Sequence, residues 1–141
     1  MEKKDCARRI FADDRFASLT GVEIVSVGDH EACCTVTLDD RHRNARGAAM
    51  GGVLFTLADF CAAVAANSDC LDKPGVESTP TLHWVSLDSD IHFLAPATDG
   101  VLTARCTPLK QGRTTALYQT IIESPGNGKR VAVVGTTMIH V

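Results

Sequence analysis

The sequence lacks the features of several large classes of protein. Its 141 residues carry a formal net charge of −3, so we expect no strongly basic surface of the kind that binds nucleic acid. The longest apolar run, residues 57–66, is interrupted by Asp59 and is too short to cross a bilayer about 30 Å thick. The N-terminal stretch MEKKDCARRIFADDRF is charged throughout and has no apolar segment of a signal peptide. These absences predict a cytoplasmic protein that binds neither nucleic acid nor membranes.

Common motifs of metal, phosphate and covalent chemistry are also missing. The six cysteines have no CxxC spacing, which predicts free, reduced thiols. The five histidines lie in different segments without metal-ligand spacing, and GxSxG and GxxxxGK[ST] are absent, so we expect no metal and no other cofactor. A cysteine nucleophile at Cys34 or Cys61 would have no base that the sequence reveals.

What remains predicts one domain over residues 1–141, since a chain of this length can bury a single core. Alternating apolar residues and short turns with Gly or Pro indicate strands. Turns this short favour antiparallel neighbours, so the four strands of the C-terminal half are expected to form a meander in an α+β fold. The expected order is a helical segment over 1–19, two strands separated at Gly28 and Asp29, a polar loop at 40–50, a helix over 52–68, a loop at 69–80, and strands near 81–94, 101–110, 113–123 and 129–140.

The helix over 52–68 is apolar on every side, which predicts that a strongly curved sheet encloses it. Asp59 is the exception. An unpaired carboxylate in such a place costs several kcal/mol, so this acid faces a polar cavity or receives hydrogen bonds from elsewhere. The other interpretations are a helix face that meets solvent and a buried structural hydrogen bond.

Gly51 and Gly52 stand where this helix begins. The free backbone N–H groups and the positive end of the helix dipole make an oxyanion hole plausible there, although a tight turn with positive φ also explains the glycines. Gly51 and Asp59 lie about 12 Å apart along one helix axis, whereas a reacting carbonyl needs both groups within about 3 Å. If both act in one reaction, Asp59 must come from a second copy, as in a twofold dimer with two equivalent sites.

The stretch NARGAAMGGVLFTLADFCAAVAAN, residues 44–67, resembles the signature of the PaaI-like acyl-CoA thioesterases of the hotdog-fold superfamily. Three later stretches resemble the same family: LDSDIHFLAPATDGVLTA, LKQGRTTALYQTIIE and GKRVAVVGTTM. The resemblance covers roughly residues 20–140. It implies a hotdog fold, in which the curved antiparallel sheet wraps the central helix, and an acyl-CoA thioesterase that forms a homodimer or a dimer of dimers.

The resemblance also implies roles for particular residues. Asp59 would be the general base or nucleophile, and the Gly51 N–H of the other chain would polarise the thioester carbonyl. Asn44 would hold the attacking water or the carboxylate, although it also suits a turn. Ser86 would assist on the Asp59 side, although its alternation with Asp88 and Asp90 also suits a solvated strand face.

The chain departs from the family at Met50, where the family usually has His. Methionine neither carries a proton nor donates a hydrogen bond, but it packs well against an acyl chain, so Met50 is expected to contact substrate, as is Gly52 two residues further on. The turn KQGR, with Lys110, Gly112 and Arg113, is expected to bind the phosphates of coenzyme A, as are Arg43 and Arg46; charged turns are also ordinary surface.

Two alternatives to the thioesterase remain open. One is a non-catalytic module that binds acyl-CoA or another acyl ligand on the same fold, which Met50 favours. The other is a related dehydratase or hydratase, which would need a catalytic His near the start of the helix.

Overall fold

The computed structural model of the protein describes residues 2–71, 81–126 and 128–141. Most of the predicted loop at 69–80 therefore lies outside the described residues. The helices are α1 (Lys3–Phe11), α2 (Arg15–Thr20) and α3 (Gly51–Ala66), and the strands are β1 (Val22–Val27), β2 (Ala32–Thr37), β3 (Trp84–Phe93), β4 (Val101–Gln111), β5 (Thr115–Glu123) and β6 (Arg130–His140). Short 3-10 helices cover Asp40–His42 and Ser68–Leu71. The predicted α+β architecture is confirmed.

The strands form one antiparallel sheet in the order β1-β2-β4-β5-β6-β3. The predicted meander is correct for β4, β5 and β6 but wrong for β3, which lies beyond β6 at the sheet edge. The connection over residues 94–100 leads from β3 to β4 and is held against the loop before α3. There the buried Ala97 accepts a hydrogen bond from the N–H of Ala49 at 2.7 Å.

Helix α3 contacts all six strands, and its apolar side chains form the centre of the core. Burying each large side chain of this kind contributes about 1.5–3 kcal/mol. The prediction that α3 is buried on every side is wrong for the single chain, however. Gly52 and Asp59 are exposed and Thr56 is only partly buried, and their spacing of three to four residues places them on one helix face.

The predicted N-terminal helical segment is two helices rather than one. A break at residues 12–14 lets α1 pack against β1, where the guanidinium of Arg8 donates to the carbonyl of Ile24 at 2.9 Å. Phe11 meets the ring of Phe60 edge to face at 5.6 Å. Helix α2 then turns toward the exposed face of α3 and ends at Gly21, whose φ of 90° favours glycine.

The start of β3 is fixed by one buried amide at the end of α3. The Nδ2 of Asn67 donates to the carbonyls of Ala63 and Trp84, and its Oδ1 accepts from the backbone N–H groups of His83 and Trp84. All four contacts measure 2.9–3.0 Å. This clamp sets which residues of β3 lie beside α3.

The six cysteines are free thiols, as predicted, and all but Cys70 are buried. In the described part of the chain, no helix has the length and apolar character needed to span a membrane.

Candidate active site

Asp59 and Ser86 meet beside the exposed face of α3. The hydroxyl of Ser86 donates to Oδ1 of Asp59 at 3.1 Å and also lies 3.7 Å from the sulfur of Met138. Asp59 is exposed, so the interpretation of its face as solvent-accessible is correct for the single chain. Its carboxylate is therefore accessible and held by one hydroxyl.

A β-bulge turns Ser86 toward the helix. The pairing of β3 with β6 shifts register between Ser86 and Asp88, so Ser86 lies opposite the buried Met138. Ile91, which packs against the core, lies on the same face of β3 as Ser86. Ser86 therefore does not share a solvated face with Asp90, as simple alternation predicts, because the extra residue in the strand reverses the phase.

The cleft beside this pair has a volume of about 690 Å³. Apolar side chains of Phe16, Phe55 and Leu87 line it together with the carboxylate of Asp59. Burial, and secondarily the negative charge of Asp59, raise the pKa of Asp14 at the start of α2. An apolar group thus has walls to pack against while the carboxylate remains exposed to water.

The second part of the site is the start of α3. Met50 precedes the helix without a side-chain cap, and the N–H groups of Gly51 and Gly52 have no acceptor among the described residues. Neither glycine has a positive φ, so the tight-turn explanation is wrong. A Cβ on Gly51 would lie 2.8 Å from Cζ of Phe93, whereas a Cβ on Gly52 would meet nothing within 4 Å. Gly51 therefore makes room for Phe93 and leaves a free N–H group.

Asn44 lies in the same cleft as Gly51, which measures about 690 Å³. Its Oδ1 accepts from the backbone N–H groups of Arg46 at 2.9 Å and Ala48 at 3.2 Å, which is the turn-forming role considered above. The Nδ2 group has no acceptor within the described ranges. Asn44 thus shapes its loop with one end of the amide and leaves the other end available.

Within one chain these residues form two separate groups. Asp59 and Ser86 line one cleft, and Asn44 and Gly51 line the other. Gly52 lies in the Asp59 cleft, and the side chain of Met50 is 60% exposed beside the helix start. The chain therefore brings together each half of the predicted site but does not unite the halves.

The predicted phosphate-binding turn lies far from Gly51 in the same chain. Lys110 belongs to β4, and Gly112 and Arg113 follow it at the end of the sheet where β6 finishes. Gly51 lies against Phe93, at the opposite end of β3. Neither described cleft of the candidate site is lined by the turn.

Of the two arginines in the loop before α3, Arg43 is already engaged. It contacts the carboxylates of Asp40 at 3.3 Å and Asp99 at 3.0 Å, and these hydrogen bonds raise the pKa of Arg43. Its guanidinium also donates to the carbonyls of Gly47 and Thr98. Arg46 instead lines the Gly51 cleft, and is the better placed of the two for an anionic ligand.

The two cysteines considered as nucleophiles are unsuitable. Cys34 and Cys61 are fully buried, and the neighbouring Cys34 together with burial raises the pKa of Cys61.

The sequence did not reveal the part of Phe93 in the site, because its approach to Gly51 depends on the pairing of β3 across the sheet. It also did not reveal that the charge of Asp59 acts on Asp14, at the start of α2.

This arrangement can be compared with known proteins. Residues 46–131 match the family described as "Thioesterase superfamily". The chain is 30% identical over 114 residues to the human protein named "Acyl-coenzyme A thioesterase 13", covering 79% of this chain and 74% of that protein. It is 33% identical over 113 residues to the Escherichia coli protein named "Acyl-coenzyme A thioesterase PaaI", covering 79% and 73%.

Solved structures agree with this match. The structure of the E. coli PaaI protein superimposes with a TM-score of 0.82 at 26% identity, covering 99% of this chain and 96% of that one. A hypothetical thioesterase from Streptococcus pneumoniae TIGR4, solved with coenzyme A, gives a TM-score of 0.77 at 29% identity, covering 93% and 96%.

The fold and these matches thus define a hotdog-fold thioester hydrolase. The chain belongs to the thioesterase superfamily and, within it, is a PaaI-like protein. The predicted hotdog fold and the predicted enzyme class are both confirmed.

Proposed function

We propose that the protein hydrolyses acyl-CoA thioesters to a free acid and coenzyme A, at a site shared by two copies of the chain. The observation that carries this proposal is the separation of Asp59 and Gly51 into two clefts of one chain. The Asp59 cleft contains the carboxylate and Ser86 but neither Gly51 nor Asn44, whereas the Gly51 cleft contains both of these and no carboxylate. The names of the human and E. coli relatives support acyl-CoA as the substrate class.

A surface suited to a second copy adjoins Asp59. Strand β3 has ten residues, pairs with β6 along one edge, and has no partner along the other edge among the described strands. It exposes Leu87 and Phe93 by 60% and 55%, close to the uncovered face of α3. Unpaired apolar strand edges favour pairing with another chain. A twofold arrangement at this edge would set the two α3 helices antiparallel and bring each Asp59 toward the partner's Gly51.

In this site Asp59 acts as the general base that activates water, or as the nucleophile itself. Ser86 holds the carboxylate through the 3.1 Å hydrogen bond. The Gly51 N–H of the other chain donates to the carbonyl oxygen as negative charge develops, and the free Nδ2 of Asn44 holds the water or the carboxylate. The carbon–sulfur bond then breaks and the coenzyme A thiolate leaves. This chemistry requires no cofactor, because a thiolate is a good leaving group.

The same dimer also assigns roles to the residues expected to bind the substrate. Antiparallel chains bring the Lys110, Gly112 and Arg113 turn of one copy toward the Gly51 end of the other, where the phosphates of coenzyme A would lie. Met50 and Gly52 flank the helix start and contact the acyl end. The assembly is a homodimer or a dimer of dimers.

A non-catalytic acyl-CoA-binding protein is the second candidate, and Met50 favours it. This side chain is 60% exposed at the helix start and offers no proton. A dehydratase or hydratase is less well supported, since the position where it would need His carries Met.

Release of free thiol from a panel of acyl-CoAs tests the activity. Asp59→Asn keeps the shape of the side chain and should lower kcat about 100-fold or more, since positioned acid–base groups contribute about 10²–10⁴-fold. Asp88→Asn is the matched control, because Asp88 lines the same cleft without the bond to Ser86. Wild-type protein that binds acyl-CoA without releasing thiol above background would establish the binding module instead.

Subunit complementation tests the shared site. Asp59→Asn and Gly51→Pro chains with different tags are co-expressed, and the mixed dimer is isolated on both tags. One of its two sites keeps both groups, so it should recover about half of the wild-type activity, while each parent homodimer is inactive. A site contained within one chain predicts an inactive mixed dimer.

A further inference from the structure

A histidine and two carboxylates converge at the end of α3 opposite to Gly51. Nε2 of His30, in the β1–β2 turn, lies 3.2 Å from Oδ2 of Asp69 and 3.8 Å from Oδ1 of Asp29. The possible ligand atoms of the three residues all lie within 4.8 Å of one another. The His30 side chain is 18% exposed, whereas both acids reach solvent. The sequence pattern does not indicate this cluster, because Asp69 lies in the 3-10 helix after α3, far along the chain from His30 in the β1–β2 turn.

The other ring nitrogen of His30, Nδ1, belongs to a hydrogen-bond chain that runs through the buried Tyr118 to the exposed Gln111. Tyr118 is fully buried, and its hydroxyl donates to Oε1 of Gln111 at 2.6 Å. The Nε2 of Gln111 donates to the carbonyl of Gly112 at 3.4 Å, and this hydrogen bond orients the Gln111 amide. Because the only hydrogen of the Tyr118 hydroxyl goes to Gln111, its oxygen accepts from Nδ1 of His30 at 3.2 Å. Nδ1 is thus engaged with Tyr118, and Nε2 is the ring nitrogen that faces the two carboxylates.

The backbone holds His30 in this place at a cost. Its φ of 55° lies in the left-handed region, which residues other than glycine seldom adopt. The N–H of His30 donates to Oγ of the buried Ser68 at 2.9 Å, which ties the turn to the segment that carries Asp69. The two segments that carry the three side chains are thus held at a fixed distance from each other.

We propose that His30, Asp29 and Asp69 bind a divalent transition-metal ion, of which Zn²⁺ is the best match. Zinc binds imidazole nitrogen and carboxylate oxygen at about 2.0–2.2 Å, so two tetrahedral ligand atoms lie roughly 3.3–3.6 Å apart. The observed separations of 3.2 and 3.8 Å bracket this value. The imidazole ligand favours such a metal over Ca²⁺ or Mg²⁺, which prefer oxygen alone.

The chain Gln111–Tyr118–His30 has the form of the outer hydrogen bonds that orient metal-binding histidines. The ion would be completed by water and would join the β1–β2 turn to the end of α3. It takes no part in the proposed hydrolysis, so its presence and the thioesterase activity can be tested independently.

Isothermal titration of the chelator-treated full-length protein with Zn²⁺ measures the site, and Co²⁺ absorption gives a second readout. We expect one ion per chain and a higher melting temperature with Zn²⁺. His30→Gln and Asp69→Asn should each weaken binding at least about 10-fold. Tyr118→Phe keeps the buried ring and removes only the hydroxyl, and should weaken binding about 10-fold through the orientation of His30.

His140→Gln is the matched control. The rings of His83 and His140 stack at 5.2 Å, so this variant removes a histidine that lies beside a second histidine but does not belong to the cluster. The control should bind Zn²⁺ as the wild type does. Loss of binding in His140→Gln with retention in His30→Gln would overturn the proposal. So would the absence of Zn²⁺ binding to the wild-type protein.

Discussion

Replacing Gly51 by proline removes one backbone N–H at the start of α3 and leaves the helix able to form. Gly51 is the first residue of α3, the position at which proline is most favoured in a helix. The preceding Met50 has φ −62° and ψ 141°, which is the extended conformation that a following proline requires. The lost N–H has no acceptor in the described part of the chain, so no hydrogen bond within the chain is broken.

The magnitude comes from comparison with Gly51→Ala. Both variants add a Cβ, which would lie 2.8 Å from Cζ of Phe93. The Phe93 ring must move aside in both variants, so this effect is common to the pair and does not enter their comparison. The alanine variant keeps the N–H and the proline variant does not. Since loss of one oxyanion donor lowers kcat about 10²–10³-fold, proline should be slower than alanine by about that factor.

Steady-state thiol release from an acyl-CoA gives kcat for the wild type and both variants, and thermal melts show that all three are folded. We expect Gly51→Ala to retain most of its activity. If the folded proline and alanine variants have the same kcat, the Gly51 N–H does not stabilise the transition state, and the assignment of the oxyanion hole is wrong.

Three further outcomes are expected. Ser86→Ala should lower kcat about 10-fold with little change in melting temperature, because its hydroxyl orients the exposed Asp59; an unchanged kcat would leave Ser86 without a role. The raised pKa of Asp14 means that folding disfavours its charged form, so Asp14→Asn should raise the melting temperature at pH 7. Below pH 3.8, the ordinary pKa of aspartate, the side chain is protonated in both states and the substitution should leave the melting temperature unchanged. An equal rise in melting temperature at both pH values refutes this. Burial raises the pKa of Cys106 to about 12, so only about 10⁻⁴ of this thiol is ionised at pH 8. Mass spectrometry should therefore find the partly exposed Cys70 alkylated before Cys106, and equal alkylation rates at the two cysteines would contradict the burial of Cys106.

Local patterns were enough to predict most elements of the fold. The alternation through Ala32, Cys34 and Val36 indicated β2, and the apolar run around Asp59 indicated α3. The position of β3 could not be predicted in the same way. A short connection shows that two strands run in opposite directions, but it does not show how many strands lie between them.

The candidate site was predictable in its parts. Asp59 and Gly51 stood out from their neighbours in the sequence, and the helix rise of about 1.5 Å per residue was enough to separate them. The contact of Ser86 with Asp59 depends on a bulge, which leaves no clear mark in the residue pattern. The cluster at His30 depends on two segments of distant sequence meeting at one end of α3.

The bulge in β3 decides which side chain meets Asp59, independently of residue type. Side chains on a strand alternate with a period of two, so a regular pairing that kept Leu87 would place Leu87 opposite Met138 and Ser86 opposite Ile139, on the other face of the strand. Leu87 would then point toward Asp59, and Ser86 would point away from it. Deleting Leu87 would instead leave Ser86 opposite Met138 in a strand without a bulge, so the loss of this one residue would preserve the contact with Asp59.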